Sequence, residues 1–343
     1  MIQAILTEID LRKSDWQEFT FESIYFGGGT PSILTEKEIS SILHRLHSHF
    51  TFKENIELTL EANPDDINTS IVKTWKSLGI NRLSIGLQSL NNEELLFMNR
   101  SHTAEESLTA VEISLQAGID NINVDLIYGS HLKTNEQWET ELKWAMNSGA
   151  NHLSAYALTV ENKTVLEHRI KQGLIPEMND SHQSKQFRYL ASYAARKEWD
   201  FYEISNLCKP GHQAVHNSNY WHNKPYLGLG PSAHGFKEKT RYWNVSQNAQ
   251  YIKQLDKGEI PQTFESLGNL DLANETILTQ LRLSTGLNAQ SILAMYPEWE
   301  QVNHRKLQEM IEKQWISMEN QVIKLTTEGR LLADHISSEL FVS

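Results

Sequence analysis

Cysteine is nearly absent from this chain: Cys208 is the only one in 343 residues. A single thiol permits no internal disulfide, so packing alone must hold the fold. It also cannot supply the several thiolates of a Cys-rich metal site. No stretch of about 18 uninterrupted apolar residues offers a membrane-crossing helix. The first residues lack the basic, apolar and small-residue succession of a signal peptide. Positive charge is scarce too. With 31 Lys and Arg against 43 Asp and Glu, the net charge of −12 repels a phosphate backbone and argues against nucleic acid as a partner. These absences predict a cytoplasmic protein. What is present is an ordinary globular composition, with length enough for one large domain and a smaller one.

The first 160 residues repeat one pattern. Short apolar segments at 23–26, 56–60, 82–87, 122–127 and 153–158 read as strands. Helical stripes run between them, such as Ile39, Ile42, Leu43 and Leu46, with helix stops at Gly79 and Gly118. Strand and helix in alternation, at roughly 30-residue spacing, predict right-handed βαβ units and a parallel sheet. The chain enters on a helix and counts five strands, one short of a six-stranded barrel. We therefore expect a strand upstream of Met1 in the natural product. Three regions follow: a partial (β/α) barrel over 1–165, a helix and loop-rich segment over 166–265, and a C-terminal domain over 266–343. In the last, helices at 272–283, 289–296, 301–314 and 326–339 and a hairpin of 315–318 with 322–325 suggest a winged helix. Its helix 301–314 mixes Arg305, Lys306 and Lys313 with Glu309 and Glu312. That helix has no basic face for DNA.

Polar residues gather where the strands end. Gly27-Gly28-Gly29-Thr30-Pro31-Ser32 follows the first strand. Such a run is either a tight turn or a place where a ligand approaches the backbone closely. It lacks the spacing of a dinucleotide fingerprint or a phosphate loop. Glu61 and Gln88 end two further strands, Arg100 follows in a loop, and Asp125 lies inside a strand where a charge needs a reason. Each has a bland explanation, as a cap, a solvated fork or a local ion pair. Converging from the same end of parallel strands, they favour a small zwitterionic ligand that carries a ribose.

The succession GGGTPS, EANP, SIGLQS, RSHT and NVDLIYG resembles the radical S-adenosylmethionine proteins of the oxygen-independent coproporphyrinogen III oxidase type. The segment His216-Asn217-Ser218-Asn219-Tyr220-Trp221, with the loops at 226–231 and 233–235, is similar to their heme chaperone branch. The resemblance covers essentially the whole chain. It implies an α/β fold: an incomplete (β/α)6-type radical-SAM barrel missing its first strand, then the winged-helix-like domain. It implies that Gly28, Gly29 and Thr30 meet the methionine end of S-adenosylmethionine and that Glu61, Gln88, Arg100 and Asp125 complete the site. It implies heme as a ligand, with His216 on the iron and His212, His222 and His234 as alternates, His234 the strongest. The partners expected are heme-accepting proteins, membrane-bound ones among them. The alternative is an oxidase of porphyrin synthesis. The family's CxxxCxxC motif, which ligates a [4Fe–4S] cluster, is not in these residues. Radical chemistry is therefore not expected of the chain as written. A shortened start accounts for the lost strand and the lost motif together; natural loss is the other explanation.

Overall fold

The computed structural model describes residues 1–342. Its first half alternates as expected: α1 (Ile2–Trp16), β1 (Thr20–Phe26), α2 (Glu36–His49), β2 (Thr51–Ala62), α3 (Thr69–Ser77), β3 (Arg82–Gln88), α4 (Asn92–Phe97), α5 (Ala104–Gln116), β4 (Asn121–Tyr128), α6 (Asn135–Ala145) and β5 (His152–Ala157). Thr35, Thr103 and Thr134 start α2, α5 and α6. Each threonine accepts from the amide three residues on, where Glu38, Glu106 or Gln137 reaches back to complete a capping box. Three helices that leave the sheet thus begin at a fixed residue, and this sets the length of the loops at the strand ends.

Next come α7 (Val165–Lys171), α8 (Asp180–Arg196), β6 (Asn206–Cys208) and α9 (Val215–Trp221). After them lie β7 (His234–Lys237), β8 (Thr240–Asn244), α10 (Asn248–Leu255) and β9 (Gln262–Ser266), with the three strands in one antiparallel sheet. The C-terminal region holds α11 (Asn269–Leu281), β10 (Leu287–Asn288), α12 (Ala289–Leu293), α13 (Trp299–Glu312), β11 (Ile316–Glu319), β12 (Val322–Leu325), α14 (Thr327–Arg330) and α15 (Ala333–Glu339). The expected hairpin is β11 with β12, and β10 adds a third strand, as in a winged helix. The helix expected over 326–339 is two helices, because the chain leaves helical geometry at Leu332. Among the described residues no helix is long and apolar enough to cross a membrane.

The main sheet is a curled half-barrel with strands in the order β1-β2-β3-β4-β5-β6. It has one strand more than expected. β6 is only three residues long and runs antiparallel to β5, too short for any period to show. Two compact units divide the chain. One holds Met1–Tyr25, Leu34–Leu58 and the residues from Ala214 onward; the other holds Phe26–Ile33 and Thr59–Gln213.

The second unit carries most of the parallel sheet, and its two faces differ sharply. Leu60, Leu83, Ile85, Leu87, Ile122, Val124, Leu126 and Leu153 are all fully buried, as are Trp75, Trp138 and Leu142 of the helices. Each such side chain contributes roughly 1.5–3 kcal/mol. The alternate positions are polar: Glu61, Arg82, Ser84, Gln88, Asn123, Asp125, His152 and Ser154. Trp75, Trp138 and Leu142 of the helices pack with the apolar positions, and the polar face lines the inside of the half-barrel.

Candidate functional site

Register brings the polar positions into rows. Glu61 on β2 pairs with Ser84 on β3, Ser84 with Asn123 on β4, and Asn123 with His152 on β5. One layer nearer the strand ends, Asp125 pairs with Ser154. At the C-terminal ends of β2 to β4 this face opens into a cavity of about 190 Å³. Gly29, Thr30, Glu61, Gln88, Arg100 and Asp125 all line it. Gly28 stands behind them, its N–H donating to Glu61 Oε2 at 3.1 Å. The glycine turn, the two carboxylates, the amide and the guanidinium thus meet in one place.

Local structure explains how each arrives. Gly28 and Gly29 have φ of +72° and +63°, a left-handed pair that side chains other than glycine resist. The turn is tied down when the buried Ser32 donates to Asp66 Oδ2 at 2.5 Å, which joins it to the loop after β2. Gln88 also has positive φ, +66°, beside an irregularity in the β3–β4 register. That conformation costs about 1–3 kcal/mol and persists only where neighbours fix it. They do so here. His102 Nε2 bonds Leu87 O at 3.1 Å, and Glu141 Oε1 accepts from Leu90 N–H at 2.8 Å and from Ser89 Oγ at 2.8 Å. Gly86 leaves room above it, since a Cβ there would lie 3.0 Å from Gln88 Nε2. Arg100 reaches the rim, with Nη1 3.5 Å from Asn63 Oδ1.

Asp125 accepts from Asn123 Nδ2 at 2.7 Å and, at the limit of a hydrogen bond, from Ser84 Oγ at 3.5 Å. Burial pushes its carboxyl above the usual range, and the charge of Glu61 pushes the same way; the bonds from Ser154 and Asn123 oppose. Below it the polar groups form a chain. Asn123 Oδ1 meets His152 Nδ1 at 2.6 Å, and His152 Nε2 meets the Tyr202 hydroxyl at 2.8 Å. Burial, then the charge of Arg82, holds that imidazole well below its ordinary value, so it is neutral. Pro31, Ser32, Asn63, Ser84 and Gly86 also line the cavity, and sequence reasoning did not select them. The signal was available for two of them: Ser84-x-Gly86-x-Gln88 repeats on every second residue, as does Asn123-x-Asp125.

His216 does not lie there. It belongs to the other unit, in the first turn of α9. Both carboxylate oxygens of Glu57 cap that helix, accepting from Val215 N–H and His216 N–H at 2.9 Å each. His216 Nδ1 bonds Ser23 Oγ at 2.9 Å. Its ring stacks on Tyr25 at 4.8 Å and meets the Tyr220 ring edge-on at 5.0 Å, and Tyr220 lies 4.4 Å from Tyr226. On the same helix Ser218 Oγ and Trp221 Nε1 are buried without a hydrogen-bond partner. His234 stands elsewhere in this unit, on the wall of a cleft of about 580 Å³ with Trp243, Gln250, Gln254, Glu259 and Thr263.

These residues do not fit an iron–sulfur cluster. Cys208 is fully buried in β6, and burial pushes its thiol up to about 12, far from a thiolate ligand at neutral pH. Among the described residues no three His, Cys, Asp or Glu side chains converge as a metal site.

Residues 5–145 match the Radical SAM superfamily, and residues 267–332 match the HemN C-terminal domain. The fold is that of the coproporphyrinogen III oxidase HemN from Escherichia coli, described as a radical SAM enzyme. The TM-score is 0.83 at 20% identity, over 99% of this chain and 82% of that one. Among curated proteins, the chain is 28% identical to the heme chaperone HemW of Lactococcus lactis, over 97% of this chain and 89% of the relative. It is 30% identical to that of Mycobacterium tuberculosis, over 97% of this chain and 84% of the relative. At 30% identity over nearly its whole length, this chain belongs to the heme chaperone HemW family of radical SAM proteins.

Proposed function

We propose that this chain binds heme on α9, with His216 on the iron, and delivers it to acceptor proteins; the relatives carry the name heme chaperone. The setting of His216 carries the reading. A ligating imidazole is oriented by the hydrogen bond that its other nitrogen makes, and Ser23 supplies one to Nδ1. Tyr25, Tyr220 and Tyr226 surround the ring with aromatic side chains, and Tyr220, steeply inclined to the imidazole and 40% exposed, offers its face to a porphyrin. Ser218 and Trp221 add buried donors that suit an anionic group. His234 is less suited: the only charged side chain of its cleft is Glu259, which repels the propionates.

The smaller cavity is the place for S-adenosylmethionine. At about 190 Å³ it falls below the roughly 300 Å³ of a site that encloses a whole ligand, so it takes the amino-acid end. Arg100 holds the carboxylate. Glu61 and Asp125 face the ammonium or the ribose hydroxyls, Gln88 bridges donor and acceptor, and Gly28 to Thr30 allow close approach. Bound there, the cofactor supplies a sulfonium centre. No radical step is assigned to these residues, since they offer no cluster ligands. The second reading, an oxidase of porphyrin synthesis, is less supported, because the likeness to HemN at 20% identity speaks for the fold alone.

Titrating heme into the chain tests the proposal. A Soret band of histidine ligation is expected, shifted or weakened in His216→Ala and unchanged in His234→Ala and His222→Ala. Loss in His234→Ala with retention in His216→Ala overturns the assignment of the ligand.

A further inference from the structure

The polar face of the half-barrel continues one layer below the floor of the smaller cavity, toward the start of the strands. There Thr59 on β2 pairs with Arg82 on β3, and Arg82 with Asn121 on β4. Neighbouring strands lie about 4.8 Å apart, so these three side chains leave the same face as close neighbours. Each carries a buried polar atom without a hydrogen-bond partner: Thr59 Oγ1, Arg82 Nε and Asn121 Oδ1. Thr59 is fully buried and Arg82 is 3% exposed. Three orphans side by side are unusual, because buried polar groups are satisfied nine times in ten.

Arg82 is the costly member. A guanidinium cannot shed its proton, and a buried charge without a counter-charge is expensive. Among the described residues it forms no ion pair. Asp125 feels its charge but sits four residues along the partner strand, too far along it to pair directly. His152 and the Cys208 thiol, which also sense Arg82, are neutral. Thr59 offers a hydroxyl donor. The Asn121 amide offers another once it is turned over, an exchange of nearly isosteric groups.

We infer that this layer is a binding site for a compact monovalent anion, such as a halide or a one-carbon carboxylate, which neutralises Arg82 and accepts from Thr59 and Asn121. The inference is independent of heme and of S-adenosylmethionine, since none of the three residues touches either proposed site.

Thermal unfolding of the full chain in sodium chloride, sodium formate and sodium gluconate at equal ionic strength tests it. A ligand of the native state raises the midpoint with saturation as its concentration passes Kd. Chloride or formate is expected to do so and gluconate, too bulky for the layer, is not. A response to chloride alone identifies a halide site; one to formate alone identifies a carboxylate site. Thr59→Val should raise the half-saturating concentration about tenfold, the loss of one hydrogen bond to a charged group. Arg82→Met should abolish the dependence. If that variant fails to fold, ³⁵Cl line broadening by the parent chain, relieved by formate and reduced in Thr59→Val, reads the same site. Equal midpoints in all three salts, with equal chloride line widths for parent and Thr59→Val, overturn the proposal and leave Arg82 to water.

Discussion

Two cavities of this molecule differ in the wrong direction for a reading by size. The cleft beside β8 and α10 holds about 580 Å³ and is lined by amides, hydroxyls and apolar side chains such as Trp243 and Ile260, with Glu259 its one acidic or basic charge beside His234. The cavity at the strand ends holds about 190 Å³, yet Arg100, Glu61 and Asp125 converge on it. Volume is what loops leave over. Opposed charges brought together at strand ends cost desolvation, and a fold retains that cost where a ligand repays it. The walls differ as well. Beside the cleft, Glu8 is fully buried and saturated: it accepts from Arg12 Nε at 2.8 Å, Asn244 Nδ2 at 2.7 Å, Gly230 N–H at 2.8 Å and the Tyr251 hydroxyl at 2.5 Å. Beside the smaller cavity, Lys133 is buried between Glu94 and Glu141 with Ser89 among them, and Glu94 Oε1 is left without a partner.

That difference predicts the largest effect. Lys133→Met leaves two buried carboxylates facing each other and should destabilise the chain by about 3–5 kcal/mol in urea unfolding. Arg12→Met also strips a buried carboxylate of its cation, and loses bonds to Asn244 and Gln262, but leaves one carboxylate with three donors instead of two facing each other, and should cost less. Equal losses would remove the distinction between a strained and a saturated network. Lys133 also bears on the site, because Ser89 and Glu141 fix the turn that holds Gln88 at positive φ.

A smaller effect tests the charges that line the cavity. Arg100→Ala removes a charge-assisted hydrogen bond worth about 1.5–3 kcal/mol and should weaken S-adenosylmethionine binding roughly tenfold or more in calorimetry. Gln254→Ala, in the larger cleft, should leave that affinity alone. An unchanged affinity in Arg100→Ala takes the residue out of the site.

Much of this was legible in the residues. Alternating strands and helices gave the half-barrel, and the strand-end residues Gly29, Thr30, Glu61, Gln88, Arg100 and Asp125 came together because parallel strands present their ends on one side. What escaped was of three kinds. β6 and β10 are three and two residues long, shorter than any period. The polar face itself was visible as Arg82-x-Ser84-x-Gly86-x-Gln88, but an alternation reads as a strand open to solvent unless the curl of the sheet is known. The partners of Lys133 were out of reach for another reason. Glu94 and Glu141 lie far apart in sequence on α4 and α6, and on paper each is one more charge on a helix.

The smallest effect separates two carboxylates, one in each unit, that should respond to pH with opposite sign. Glu22 is held by Lys224 and Lys53, whose hydrogen bonds lower its pKa to about 2 from an ordinary 4.5. Its contribution to stability is present above 4.5 and is lost as pH falls toward 2, because the unfolded state takes up the proton first. Asp125 is raised above its ordinary 3.8, by burial first and then by Glu61. There the folded state keeps the proton longer, so stability falls as pH rises past 3.8. Urea unfolding of the parent, Glu22→Gln and Asp125→Asn from pH 3 to 7 reads both. Parent minus Glu22→Gln should grow with pH up to about 4.5, by less than about 1 kcal/mol because the lysines are exposed. Parent minus Asp125→Asn should decline over the range above 3.8. Differences that run in the same direction would mean that Asp125 is ionised in the folded chain with a firm cationic partner. Arg82 is the cation whose charge reaches it, so that result would also weaken the case for an anion beneath the cavity floor.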